Sequence, residues 1–274
     1  MPKIYHLTLP IENLSLGYFL TQIPPHSSVL EFGPGCGHMT KYLKEELKCK
    51  VTCIELIPEM AKMAALYAEK MIISNIDEGE WEKEITGTFD YILFGDVLEH
   101  LKKPDLAIEK AIKILSPDGF IISSIPNISH NAIIMSLRHG KFQYTDFGLL
   151  DNTHIHFFTR EEMNRIFNEK GLHCVEEKSI FKRPSSIEPQ EFYIQNISLI
   201  YPLIRRRDGH IFQFVCKWSQ KENSSSNQSA KGIRLSIAQA LFCLFVDIND
   251  YLAKRWNFKF ALPRFLKPHN RRFY

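Results

Sequence analysis

The sequence predicts an α/β fold, a mostly parallel sheet with helices on both faces. Three observations carry this expectation. Strand-like and helix-like patterns alternate from Val29 to Ile125, the order that parallel strands joined by right-handed crossovers require. The strand-like runs read as buried, as strands covered on both faces do. The first of them, Ser28-Val29-Leu30-Glu31-Phe32, leads into Gly33-Pro34-Gly35-Cys36-Gly37-His38-Met39-Thr40, which sets three glycines at alternate positions before a helical pattern.

Glycine lets the chain turn sharply and lets its backbone approach a ligand closely, while the helix starting near Met39 offers free N–H groups at its positive end. The run therefore reads as a nucleotide-type binding loop. Its spacing is not the G-x-G-x-x-G of dinucleotide sites, because the third glycine comes one residue early and Glu31 stands two residues before the first. Lys50-Val51-Thr52-Cys53-Ile54-Glu55 is a second buried strand closing on an acid. An acid at that edge, roughly 20 residues past a glycine loop, is placed to accept ribose hydroxyls. Met71-Ile72-Ile73 is a short third strand running on to Asp77. Phe89 to Phe94 is a fourth, ending at Gly95-Asp96, with Glu99 and His100 in the helical turn beyond it. Pro104-Asp105 leads into an amphipathic helix from about Leu106 to Leu115, Ser116-Pro117-Asp118-Gly119 reads as a turn, and Phe120 to Ile125 as a fifth strand.

The pattern Glu31-x-Gly33-x-Gly35-x-Gly37 resembles the first motif of class I S-adenosylmethionine-dependent methyltransferases, and the Gly95-Asp96 to His100 block resembles their fourth-strand motif. The resemblance covers about half the chain, with the motifs in order. It implies a Rossmann-like, seven-stranded, mostly parallel sheet and S-adenosyl-L-methionine as cofactor. It assigns Glu31, Gly33, Gly35, Gly37, Glu55, Asp77 and Asp96 to cofactor binding, with Asp77 near the adenine amino group. Asp77 also suits a turn or a helix cap, where Asp is favoured.

Pro126 to Gly171 interrupts the alternation after the fifth strand and so hangs over the carboxyl edge of the sheet, where insertions make substrate pockets. Thr159-Arg160-Glu161-Glu162 is a capping box, starting a helix that runs to about Lys170 and ends at Gly171. Gly148-Leu149-Leu150-Asp151-Asn152-Thr153-His154-Ile155-His156-Phe157-Phe158-Thr159 resembles a segment of bacterial methyltransferases linked to surface polysaccharide and glycolipid synthesis. That likeness implies a sugar or glycan hydroxyl as acceptor. A hydroxyl is a poor nucleophile while protonated, so a base within hydrogen-bond reach should assist. His154, next to Asp151 as a possible orienting group, and His100 are the candidate catalytic residues. His154-x-His156 lacks a Cys or Glu at a recognisable ligand interval, and no metal is assigned.

His173 to Glu177 and His210 to Lys217 read as the last two strands, an antiparallel pair, separated by an insertion with a basic triplet, Arg205-Arg206-Arg207, which reads as a solvated surface. Residues 1–218 thus form the catalytic domain, with insertions at about 126–171 and 181–209. The polar run 219–231 is a flexible linker. In 232–274, Ile233, Ile237, Leu241, Leu244, Phe245, Ile248 and Leu252 recur at helical spacing. From Lys231 onward nine Lys or Arg face two acids, a balance of +7, which leaves −4 of the total +3 for residues 1–230. This basic, aromatic helical tail suits an anionic membrane edge, a partner protein's groove or its own domain, and nucleic acid is not expected. None of the six cysteines forms a C-x-x-C pair, no run of about 18 apolar residues occurs, and no secretory pattern opens the chain. A cytoplasmic enzyme is the expectation, its tail suited equally to the inner membrane surface and to packing on its own domain. A quinone-like or other small-molecule acceptor is the nearest alternative, and a non-catalytic scaffold that recruits partners through the tail is the other.

Overall fold

The computed structural model describes residues 15–183 and 206–221, with single positions at 203, 245 and 246. Eight strands lie in one sheet in the order β3-β2-β1-β4-β5-β8-β6, with β7 paired to β8. They are β1 (Ser28–Phe32), β2 (Lys50–Glu55), β3 (Lys70–Ile73), β4 (Phe89–Gly95), β5 (Leu115–Pro126), β6 (His173–Glu177), β7 (Ile180–Phe181) and β8 (Ile211–Ser219). The first five run parallel; β8 is antiparallel to β5, β6 and β7. The fold class read from the sequence holds. The sheet has eight strands rather than seven because Ile180–Phe181 pairs with β8 after a break that follows β6.

Among the described residues 15–183 the α-helices are α1 (Gly17–Leu20), α2 (His38–Glu45), α3 (Pro58–Ala64), α4 (Pro104–Lys113), α5 (Asn131–Arg138) and α6 (Arg160–Asn168). Side chains alternate across a strand, so each strand feeds two cores. On one face Leu30, Phe32, Ile54, Ile92 and Phe94 pack with Ile108 of α4 and Met163 and Phe167 of α6. There Phe32 stacks on Phe94 at 4.5 Å between ring centroids, and Phe167 on Trp218 at 4.0 Å. On the other, Val29, Val51, Cys53, Leu93 and Val215 pack with Phe19 and Leu20 of α1 and Leu43 of α2. Glu31 falls on this second face, an acid in an apolar layer. Cys49, Cys53 and Cys216 are buried free thiols, and Cys36 and Cys174 are half-buried ones.

Several elements depart from the sequence reading. Helix α4 starts at Pro104, two residues early, since proline suits the first helical position and the Asp77 carboxylate accepts the N–H groups of Lys102 and Lys103, both at 2.9 Å. Ser116 to Gly119 is a bulge within β5 rather than a separate turn: Phe89 pairs with Leu115 and Tyr91 already with Phe120. Helix α5 was not expected. His130 caps it by accepting the Ala132 N–H at Nδ1 and donates from Nε2 to Lys182 O at 2.9 Å. Arg206 is half-buried and donates to Asn131 Oδ1, so it is not the solvated group anticipated, whereas Arg207 is exposed. Strand β8 reaches Ser219, the first residue of the expected linker. Of the tail, Phe245 and Val246 are helical; the remainder of the linker and tail lies outside the described residues. Among the described residues no helix is long and apolar enough to cross a membrane.

The predicted α6 is present. Thr159 accepts the Glu162 N–H at its N-terminus, and Gly171 takes a left-handed φ of 74° just past its end. Its first residue, Arg160, is buried between Asp208, at 2.7 and 3.0 Å, and Glu177, at 2.9 Å. The pair of acids holds the guanidinium firmly protonated. Replacing Arg160 with Met should leave two carboxylates in a dry layer and cost about 3–5 kcal/mol of stability in urea denaturation. The triple variant that also carries Glu177→Gln and Asp208→Asn should recover part of that loss.

Candidate active site

Gly33, Gly35 and Gly37 all adopt left-handed backbone, with φ of 61°, 55° and 81°, which is why L side chains are excluded there. They differ in what surrounds them. A Cβ on Gly37 would lie 2.7 Å from Ala64 Cα, and one on Gly33 3.0 Å from Val97 Cγ2, whereas one on Gly35 would meet nothing within 4 Å. The turn is thus packed at both ends and open in the middle. Glu55, buried at the end of β2, ties it down by accepting the Gly35 N–H at 3.1 Å and the Ile57 N–H at 2.9 Å.

Glu31 is fully buried beneath the turn. Its Oε2 accepts the Thr40 hydroxyl at 2.7 Å, while Oε1 has no partner among the described residues. Burial pushes its carboxyl from 4.5 to about 7; the Thr40 bond opposes the shift, and the Glu55 charge adds to it. At the neighbouring strand end, Asp96 has a left-handed φ of 56°. Its Oδ1 accepts from Ser124 Oγ at 2.9 Å and from Gln213 Nε2. The Asp96 residue is open to solvent, yet burial among surrounding protein raises its carboxyl above the ordinary range, against hydrogen bonds from Ser124 and Ser15. Asp77 stands beside α4 with its carboxylate on Lys102 and Lys103, the capping use of this residue.

The sequence-predicted catalytic residues meet here. Residues 148–159 cross the turn after β4: the Ile155 and His156 N–H groups donate to Glu99 O at 3.0 and 3.1 Å. His100 Nδ1 lies 3.1 Å from Thr153 O, and the His100 and His154 rings meet edge to face at 4.9 Å. Asp151 Oδ1 accepts the Thr153 N–H at 2.8 Å and its hydroxyl at 2.7 Å, which holds the bend just before His154. His156 points elsewhere, with Nε2 3.3 Å from Lys102 O. Phe142, Tyr144 and Phe157 form an aromatic cluster beside His154.

Glu99 is the residue that sequence reasoning passed over. It is 1% exposed, and neither carboxylate oxygen has a hydrogen-bond partner among the described residues. Burial, then the nearby charges of Asp96 and Asp151, hold its carboxyl well above the usual range. An acid inside the apolar run Val97-Leu98-Glu99-His100-Leu101 was the available signal. Its meeting with His154, 55 residues on, has no signature in spacing. Thr40, Ser124 and Gln213, which engage Glu31 and Asp96, were equally silent.

Residues 12–177, more than half of the chain, match the methyltransferase domain family. The ubiquinone biosynthesis O-methyltransferase of Colwellia psychrerythraea is 26% identical over an alignment of 187 residues that covers 65% of this chain and 72% of that one. A SAM-dependent methyltransferase from Archaeoglobus fulgidus shares the fold at a TM-score of 0.54 and 15% identity, covering 74% of this chain and 90% of its own. The magnesium protoporphyrin IX methyltransferase of Synechocystis, solved with bound SAH, does so at 0.50 and 12%, covering 76% and 80%. With the strand order, the glycine turn between two buried acids and the family match in agreement, the chain belongs to the methyltransferase domain family as a class I, S-adenosylmethionine-dependent enzyme.

Proposed function

We propose that the chain methylates oxygen on a carbohydrate acceptor, a sugar or a glycan or glycolipid precursor. The observation that carries this is the docking of residues 148–159 on the β4 turn, which sets His154, His100 and Glu99 beside Asp96 at the carboxyl edge of the sheet. The cofactor supplies a methyl group on a cationic sulfur. The residues fit it: Gly35 leaves room for close approach, Glu31 presents an unpartnered oxygen to a cationic group, and Glu55, with two accepted N–H groups, keeps lone pairs for ribose hydroxyls. Gly33 and Gly37 shape that loop, and Asp96 stands at the neighbouring strand end. Asp77 serves the adenine end through the α4 start that it caps. For an acceptor hydroxyl, an imidazole of the His100–His154 pair receives the proton, and Asp151 steadies the bend that carries His154. The aromatic wall of Phe142, Tyr144 and Phe157 suits the apolar face of a sugar ring.

A quinone-like phenol is the second reading, favoured by the Colwellia relative. Mass spectrometry of surface glycans from cells with and without the enzyme should differ by one methyl group. Unchanged glycans, with turnover of a catechol or quinol by the purified chain, would establish the phenol instead.

The glycine turn separates folding from binding. Gly37→Ala meets the α3 backbone in a strained conformation and should cost about 2–4 kcal/mol in thermal or urea unfolding. Gly35→Ala meets no protein atom and should cost about 1–2 kcal/mol, yet lose most of the affinity for S-adenosylmethionine in calorimetry.

Glu31 makes both properties depend on pH. Its folded value, about 7, lies above the reference 4.5, so the folded chain holds a proton that the unfolded chain releases between those values. Stability therefore falls as pH rises through 4.5 to 7 and stays lower above it, by up to about 3 kcal/mol. Glu31→Gln should stabilise the ligand-free chain at pH 8 and do little at pH 4.5. Cofactor affinity should run the other way, rising about tenfold from pH 6 to pH 8 as Glu31 ionises, and the Gln variant should flatten that dependence.

A further inference from the structure

We propose that Glu99, His100 and His154 bind a divalent transition-metal ion of the zinc type, in a site that exists only when residues 148–159 are docked on the β4 turn. One carboxylate oxygen and one nitrogen from each imidazole lie within 4.8 Å of one another. Ligands at about 2.0–2.2 Å from a zinc ion are at most about 4.4 Å apart, so small side-chain rotations close the set. His100 is exposed and can turn without disturbing the core.

Three features distinguish this cluster from two histidines in chance contact with an acid. The first is Glu99 itself, nine-tenths buried and more, with both oxygens unpartnered. A buried carboxylate without donors is costly, and a cation removes that cost. The charged groups that act on it are Asp96 and Asp151, so the local field favours a cation. The second is orientation. A carbonyl only accepts, so the His100 Nδ1 contact with Thr153 O makes Nδ1 the donor and Nε2 the lone-pair nitrogen. His154 Nδ1 likewise faces a carbonyl, Leu149 O, at 3.4 Å. Outer-shell bonds from the second ring nitrogen are the usual way a metal-binding imidazole is aimed. The third is rigidity across the joint. Glu99 O accepts from Ile155 and His156, so the backbones carrying Glu99 and His154 are fastened to each other.

Two imidazoles and one carboxylate prefer zinc, iron, cobalt or nickel over magnesium or calcium. Three protein ligands with one exposed member leave a position for an outside oxygen. On the oxygen-acceptor reading, which this part rests on, that position takes the acceptor hydroxyl. An ion held there would polarise the acceptor hydroxyl, whose proton would pass to water, and His100 and His154 would then serve as ligands; the route through an imidazole base belongs to the metal-free chain.

The test uses the full chain stripped with a chelator and titrated with Co2+ and then Zn2+. The expected result is one equivalent bound by calorimetry and visible d–d absorption of a low-coordinate Co2+ site, bleached by one equivalent of Zn2+. Glu99→Gln and His100→Ala should each weaken binding at least a hundredfold, while His156→Ala, outside the cluster, leaves it within about twofold. Absence of the absorption, or equal loss in the His156 variant, would overturn the site. Calorimetry with S-adenosylmethionine on the same proteins keeps the two readings apart. Normal cofactor affinity without metal binding sinks the metal site alone, whereas loss of cofactor affinity in the unaltered chain sinks the enzyme reading.

Discussion

Two carboxyl groups lie buried at the carboxyl edge of this sheet with oxygens that no described group satisfies, Glu31 under the glycine turn and Glu99 under the docked insertion. Ser136 Oγ, Arg206 Nη2 and His210 Nε2 also lack partners among the described residues. Other buried groups are answered within the chain. Arg160 has both Asp208 and Glu177, and Trp218 donates its indole N–H to Ser123 Oγ at 2.9 Å. Native proteins pair nearly all buried polar atoms, so two unpaired acids near one sheet edge mark a place where a group from outside can be received. The two acids sit where β1 and β4, adjacent and parallel, end side by side. The ligand-free chain is therefore held in a less favourable state than its packing alone would allow.

The arrangement also explains why the turn is built from glycines of unequal role. Gly33 and Gly37 are fixed by what the protein puts beside them, Val97 and the Ala64 backbone, and belong to folding as much as to binding. Gly35 is fixed only by its left-handed conformation and faces open space. One sequence motif thus combines two constraints, close helix–turn packing and close approach of a ligand, which substitution separates.

Much of the fold was legible because it rests on local patterns. Lys50 to Glu55 and His173 to Glu177 appear as strands with the bounds their apolar runs and flanking acids imply, and Thr159 caps α6 as its side chain and Glu162 require. The departures have local causes as well. Ser116-Pro117-Asp118-Gly119 has turn composition, yet β5 absorbs it as a bulge because Leu115 and Phe120 both reach the β4 ladder. Helix α5 depends on His130, whose capping use shows only when Lys182 O and the Ala132 N–H are in place. The site divides in the same way. The residues that resemble cofactor-binding ones stand in one short motif and a few strand ends. Glu99, His100 and His154, which the proposal gives to the acceptor, are brought together by backbone hydrogen bonds between segments more than 50 residues apart, and no periodicity encodes that meeting.

The concentration of acids has a consequence for turnover on the proposed reading. Glu31, Glu55, Asp96, Glu99 and Asp151 line one side of the sheet edge, and Asp96 and Asp151 act on Glu99 by charge. Ionised, such a wall attracts the sulfonium of the donor, a charge that the thioether left after transfer lacks, whereas the ammonium is common to both. Discrimination between donor and product therefore rests on the acids nearest the sulfur and grows as they ionise with rising pH.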